Sequence, residues 1–341
     1  MKKKLLSLLM VATLCVSALV GCAGKKEESA EAPVAIEKEE VSEAPTTDYP
    51  DGTVNVICHA AAGGGSDALA RQLAQGLQDE LGWTVTVDNK TGGSGSVGMQ
   101  YVMNAKADGY TIGTAPVELA MVEALGFAEI GPDDVQLLGC AMSWPAAVYV
   151  SADAPYNTLE EFVEYCKAHP GEIKVSNAGI GSIWHISACV LADKTGIEVN
   201  HIAYDGANGA ITALLGEEVE VAVVGSCEGY SYVESGDVKC LGVFSEERSS
   251  VLPDTATAAE QGYDIEVNCW VGFLAPKGID EATLTVLTDS LKTVFESEAY
   301  LSFCDGRGCS STYYTPEEFY DMAKAEYEYY ATLIEEQNIA Q

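Results

Sequence analysis

Residues 55–82 read NVICHAAAGGGSDALARQLAQGLQDELG. The first six form an apolar, strand-like run. Leu69, Leu73, Leu77 and Leu81 then recur at every fourth position, the spacing of one helix face. Ser66 is a favourable N-cap and Gly82 a favourable stop, so the spacing predicts a helix over 66–82. Between strand and helix lies AAGGGSD (61–67), whose glycines allow backbone conformations closed to other residues. Gly64, Gly65, Ser66 and Asp67 bring their amides to the positive end of that helix. An anion can be held there without a basic side chain. A tight strand-to-helix turn with a capped helix accounts for the same residues equally well.

The same alternation runs on through the chain. Strand-like runs at 83–89, 110–115, 147–151, 173–179, 199–204, 220–226, 239–245 and 267–276 are separated by helix-like patterns at 99–106, 158–171 and 186–196 and around ITALLGE. From Asp280 to the end the pattern is mostly helical. Strand–helix alternation predicts an α/β protein with parallel sheets, and about 290 residues suffice for two domains. In such folds ligands sit past the carboxyl ends of strands, at helix N-termini.

Two further loops have that setting. In SNAGIGSIWH (176–185), Gly181 and Ser182 precede a helix, Ser182 is a natural N-cap, and His185 falls in the first turn. A histidine there more often packs or hydrogen-bonds locally than touches a ligand. In YDGANGA (204–210), Gly206 and Ala207 open a helix, and Tyr204 either walls a pocket or packs. A fourth glycine-rich stretch, TGGSGSVG (91–98), contains a literal G-x-G-x-x-G at Gly93, Gly95 and Gly98 after a strand and before a helix. A dinucleotide turn needs an acidic residue about twenty positions further on at a strand end. Glu118 is nearest in spacing, but it follows the third strand inside an apolar segment.

The amino terminus speaks against a dinucleotide as well. MKKKLLSLLMVATLCVSALVGC (1–22) places three lysines before an apolar run closed by small residues, the pattern of a secretory leader over 1–21. Its end, Leu19-Val20-Gly21-Cys22, resembles the bacterial lipobox, in which Cys22 would carry lipid and become the first mature residue. A retained membrane anchor is the rival reading, and the run is at the short limit for one. Residues 22–48 are acidic, with almost no large apolar side chains, and read as a flexible tether.

The formal net charge is −34, and loss of the three leader lysines takes it to −37. That excludes nucleic acid as a partner, because phosphates are held by Lys and Arg. A small anion is not excluded, since the local field decides its binding. Nine cysteines remain after Cys15 and Cys22, an odd number without C-x-x-C spacing, and they read mainly as small buried hydrophobes. A Cys304–Cys309 disulfide stays open. The four histidines (59, 169, 185, 201) show no metal-binding spacing, no G-x-S-x-G elbow exists, and no carboxylate pair stands out. No enzyme, metal or cofactor is therefore expected.

Eight segments, in order, resemble the extracytoplasmic solute receptors of tripartite tricarboxylate transporters, the Bug receptors. They are AAGGGSDALARQLA, VDNKTGGSGSVG, ADGYTIG, IKVSNAGIGSIWH, VNHIAYDGANGAITALLGEEVEV, ERSSVLPDTATAAEQGY, WVGFLAP and TPEEF. The resemblance covers about Tyr49 to Ala340. It implies a type II periplasmic-binding-protein fold: two α/β domains, 49–145 with 271–341 and 146–270, around a ligand cleft. It implies a carboxylate held by Gly64, Gly65, Ser66 and Asp67 from one domain. Gly181, Ser182, Tyr204, Gly206 and Ala207 would come from the other. It also implies membrane transporter subunits as partners, and with the lipobox-like Leu19–Cys22 the expectation is a lipid-anchored, monomeric receptor outside the cytoplasm. A ligand-dependent sensor component is the alternative. The sequence departs from the family at Asp205, where relatives usually carry Lys, and at Val224-Gly225-Ser226, where they often show Asp-Asn. His59-Ala60 replaces Pro-Phe, and Gly209 replaces Pro. TGGSGSVG fits a turn of the family, so its glycines are expected to serve close helix–strand approach.

Overall fold

The computed structural model describes residues 48–339. The leader, Cys22 and all but the last residue of the acidic tether lie outside the described residues. The strands are β1 (Val54–Cys58), β2 (Val85–Asn89), β3 (Thr111–Pro116), β4 (Val135–Ser151) and β5 (Lys174–Asn177). They continue with β6 (Asn200–Ala203), β7 (Val221–Gly225), β8 (Val238–Val243) and β9 (Asn268–Pro276). The helices are α1 (Gly65–Leu81), α2 (Ser96–Met103), α3 (Leu159–Ala168), α4 (Ile183–Thr195) and α5 (Gly206–Leu215). They end with α6 (Ser226–Glu234), α7 (Glu281–Phe295), α8 (Glu298–Asp305) and α9 (Pro316–Glu336).

The strand order is β2-β1-β3-β9-β4-β7-β5-β6, with β8 also on β4. Pairing is parallel among β1, β2 and β3 and among β5, β6 and β7. It is antiparallel wherever β4 or β9 takes part. The expected parallel pairing is present in two blocks, and antiparallel strands, which the alternation did not signal, join them. β4 accomplishes the join. Its residues up to Pro145 pair with β9, and from Ala146 onward it pairs with β7 and β8. The sequence reading caught only its last five residues. The rest was obscured because register shifts around Gly139 and Cys140–Ser143 break the period-two pattern. The return path passes beside it, where Phe244 donates to the Ala146 carbonyl and Ala146 to that of Val267.

The leucine stripe of α1 is buried in its first three members, while Leu81, at the end of the helix, is 38% exposed. Leu69, Leu73 and Leu77 are fully buried and share a cluster with Leu287, Leu291 and Val294 of α7. Gly82 ends the helix in the left-handed conformation at φ 70°. The N-cap, however, is Gly64 rather than Ser66, and no side chain caps the helix. The start is secured by Asp67, whose carboxylate reaches back to the Gly63 amide at 2.9 Å. α3 ends at Ala168 with His169 as its C-cap, short of the expected end at Gly171.

The G-x-G-x-x-G stretch serves packing. A Cβ on Gly98 would lie 2.9 Å from His59 Cα and 2.9 Å from the Lys90 carbonyl oxygen. Only glycine lets α2 approach the end of β1 this closely. His59 is itself engaged, its amide and Nδ1 both meeting Thr114 Oγ1. Burial holds its imidazole down at about 4.

Candidate ligand-binding site

Each parallel block leads its strands into helix N-termini: β1 into α1, and β5, β6 and β7 into α4, α5 and α6. The first amides of each helix have no acceptor within that helix. In the first loop, Gly64 and Gly65 are exposed and Ser66 is half-buried. Asp67 is 3% exposed and faces inward. Its carboxylate accepts from Gly63, from Arg71 Nε and Nη2 at 2.9 Å each, and from Asn89 Nδ2 at 2.8 Å. Arg71, with the Gly63 amide behind it, holds this carboxyl well below the usual carboxylate range. Asp67 therefore shapes the loop from inside, and what the loop offers outward is its backbone. Asp67→Ala strips three donor groups of their acceptor and should cost about 2–4 kcal/mol of stability. Urea unfolding measures it, and a loss under about 0.5 kcal/mol would remove the clamp from the account.

In the second loop, Ser182 caps α4 by accepting from the His185 amide at 3.2 Å, as its position predicts. Its own hydroxyl hydrogen is left to donate. Gly181 is buried, and its amide donates to His185 Nδ1 at 3.1 Å, so His185 plays a local hydrogen-bonding role. This loop meets the segment that follows β3: a Cβ on Gly181 would lie 2.9 Å from Leu125. In the third loop, Gly206 (φ +79°) and Ala207 are half-buried at the start of α5. Tyr204 packs on Gly209 and donates its hydroxyl to Glu218 at 3.2 Å. Asp205 is exposed at the N-cap and makes no side-chain cap.

The structure adds residues that spacing did not single out. Asn177 Nδ2, Ser226 Oγ and Trp144 Nε1 are enclosed and have no protein hydrogen-bond partner. Asn177 ends β5 and Ser226 follows β7, its neighbour in the sheet. Trp144 lies beside Gly225, the residue before Ser226, its Nε1 2.6 Å from where a Cβ on Gly225 would stand. Asn177 is held in place because its Oδ1 accepts from the Gly179 amide at 3.1 Å. Buried donors are almost always paired, so these three orphans, two of them at the ends of neighbouring strands and one inside β4, call for an acceptor. The orphan status of a donor depends on neighbours distant in the chain, and no sequence signal carries it.

A cavity of about 600 Å³ is lined among others by Ser143 and Pro145, the chain neighbours of Trp144, and by Arg248, Asn268 and Ser310. None of the nine sequence-predicted ligand residues lines it. Arg248, its one basic group, is paired with Glu260 at 2.8 Å, and Glu246, Glu247 and Asp305 stand on the same wall. It is a poor place for an anion.

All nine described cysteines are free thiols, Cys304 and Cys309 included. The Cys309 thiol lies instead against that of Cys227. The hydrogen bond with this neighbour, and then burial, push the Cys227 thiol far up.

Residues 69–339 match the model of the tripartite tricarboxylate transporter family receptor. The chain belongs to this receptor family. Among characterised sequences it is similar to protein BugT of Bordetella pertussis, 27% identical over 84% of this chain and 90% of that protein. Among solved structures it is similar to a TctC solute-binding protein from Polaromonas. That match has a TM-score of 0.77 at 32% identity and covers 84% of this chain and 99% of that one. The fold also matches MatC from Rhodopseudomonas palustris, solved with bound malate, at TM-score 0.69 and 22% identity over 84% and 100% of the two chains. The receptor thus has the type II periplasmic-binding-protein fold, two α/β domains about a cleft. Like its family, it is an extracytoplasmic solute-binding protein. Among the described residues no helix is long and apolar enough to cross a membrane.

Proposed function

We propose that the receptor is tethered by lipid on Cys22, captures a small carboxylate between its lobes, and delivers it as a monomer to the membrane subunits of a tripartite tricarboxylate-type transporter. The lobes are 49–145 with 271–341, and 146–270. The change of partners along β4 between Pro145 and Ala146 supports that division. The observation that carries the ligand class is the set of enclosed, acceptor-less donors at Asn177, Ser226 and Trp144. Donors without a fixed cation suit a carboxylate, whose oxygens accept several hydrogen bonds. The free amides of α4, α5 and α6, and those of Gly65 and Ser66 across the cleft, extend the same field. The malate bound by MatC supports this choice. Asp205, in place of the family's lysine, argues against a ligand with many charges. No covalent step and no cofactor is part of this reading. A micromolar receptor needs about −8 kcal/mol, within reach of a few charge-assisted hydrogen bonds and a dry cleft.

Thermal melting of the full-length protein in detergent, against di- and tricarboxylates, amino acids, aromatic acids and hydroxy acids, tests the proposal. A ligand at a hundred times its dissociation constant should add about 2.7 kcal/mol, a shift of several degrees. A shift confined to one acid class names the substrate. No shift with any acid, from ligand-free protein, overturns the carboxylate assignment and points first to Asp205. Cross-linking in membranes then separates delivery to a transporter from presentation to a sensor.

A further inference from the structure

One group of donor atoms has no part in the ligand site described above. His185 and Cys189 stand one turn apart on α4, and His201 lies on β6. One donor atom from each lies within 4.8 Å of the other two. The two imidazole rings are 5.1 Å apart, centroid to centroid, at 71°. His185 is 9% exposed and Cys189 2%. His201 Nδ1 is enclosed without a hydrogen-bond partner, which is costly for a nitrogen that either donates or accepts. No carboxylate belongs to the trio.

From this geometry we infer that His185, Cys189 and His201 form a binding site for a thiophilic divalent cation of the zinc class. Two imidazoles and a thiolate are a soft donor set of the kind that prefers zinc to magnesium or calcium. Donors coordinated at 2.0–2.3 Å around one ion stand somewhat closer than 4.8 Å, so a small inward movement of the side chains completes the shell. A small ligand such as water fills the fourth position. Zinc displaces the Cys189 thiol proton, so one proton leaves for each ion bound. Whichever nitrogen of His185 takes the ion, the Gly181 bond to Nδ1 ends. If Nδ1 coordinates, its lone pair is used; if Nε2 coordinates, the proton shifts to Nδ1. The ion would clamp α4 to β6, the elements that carry the loops at 178–182 and 204–207. The site stands on its own geometry, and metal binding there would release the Gly181 amide in the second ligand loop.

Sequence spacing missed it. His185 and Cys189 are four apart on one helix face, but the third donor comes from a strand sixteen residues beyond His185. The test uses the full-length protein in detergent, stripped by a chelator and titrated with zinc against a chromophoric competitor. One equivalent per chain is expected at micromolar free zinc. Cys189→Ser and His201→Ala should each weaken it at least as much as losing an outer-shell partner does, roughly 10–100-fold. Cys166→Ser, a buried thiol on α3, should bind as the parent does. Cobalt(II) in place of zinc should show a near-ultraviolet sulfur-to-metal charge-transfer band that Cys189→Ser abolishes. Circular dichroism checks folding, and His201→Gln decides if His201→Ala does not fold. Zinc uptake unchanged in both ligand variants would place the ion on the acidic surface and overturn the assignment, as would no uptake at all.

Discussion

Ser226→Ala and Trp144→Phe should each weaken carboxylate binding by about 10–100-fold while leaving the unliganded receptor at least as stable as before. A hydrogen bond to a charged acceptor contributes about 1.5–3 kcal/mol, which gives that range. The second half of the expectation is the unusual one. Truncating a buried polar group usually destabilises, because a partner is left unmade. Here Ser226 Oγ and Trp144 Nε1 have no protein partner to lose. Removing the Ser226 hydroxyl relieves a desolvated group and leaves only a small void. Trp144→Phe trims more volume, and the pocket beside Gly225 is tight, so its stability gain is the smaller. Asn177 differs from both: its Oδ1 holds the Gly179 amide, so Asn177→Leu should lose binding and stability together. Calorimetric titration with the acid found by melting, paired with melting of the unliganded variants, reads both quantities. Binding unchanged in Ser226→Ala and Trp144→Phe would move the carboxylate away from the ends of β5 and β7.

The second large effect is on pH. Burial pushes the carboxyls of Glu118, Glu228 and Glu326 up to about 7 each. In the unfolded chain they titrate near their ordinary value of 4.5. Between those two values the folded protein holds protons that the unfolded chain has released. Raising the pH across that window therefore favours unfolding, and the stability contributed by these groups is gone once the pH passes about 7. Asp67 works in the opposite sense. Its carboxyl is held low, so its contribution is present above the usual carboxylate range and is lost as the pH falls through it. Maximum stability should lie near pH 5, on the acid side of neutrality.

Glu326 gives the cleanest check. Trp270 Nε1 donates to its carboxylate at 2.6 Å, a bond that a glutamine oxygen can still accept. Glu326→Gln should therefore stabilise the receptor at pH 8 by about 2 kcal/mol, on the order of 5 °C, and have little effect at pH 5. Glu80→Gln, on the exposed end of α1, changes the net charge equally and serves as the control. Equal shifts in the two variants would assign the pH dependence to overall charge repulsion. It would not then belong to buried carboxyls.

Much of the architecture was legible along the chain because its determinants are local. The leucine stripe of α1, the Gly82 stop and the Ser182 cap depend on residues within a turn or two of one another, and the structure places them as expected except for Leu81, which is exposed. The glycines of TGGSGSVG were assigned to close packing, and His59 and Lys90 are what they pack against. The resemblance, carried by eight ordered segments, implied a fold and family that the comparisons bear out.

What only the tertiary structure decided depends on residues that meet from far apart. β4 was half invisible because its register slips where it changes sheets, and a slipped strand shows no steady alternation. That Arg71 and Asn89 hold the Asp67 carboxylate, leaving only its backbone to the loop's outer face, could be read only from the fold. Asn177, Ser226 and Trp144 become a candidate site only when the fold shows that their enclosed polar atoms make no hydrogen bond. The trio of His185, Cys189 and His201 forms where a helix is laid over a neighbouring strand. Local order follows from backbone geometry and the spacing of apolar residues. The state of a buried polar group follows from what the fold brings to it and what it excludes.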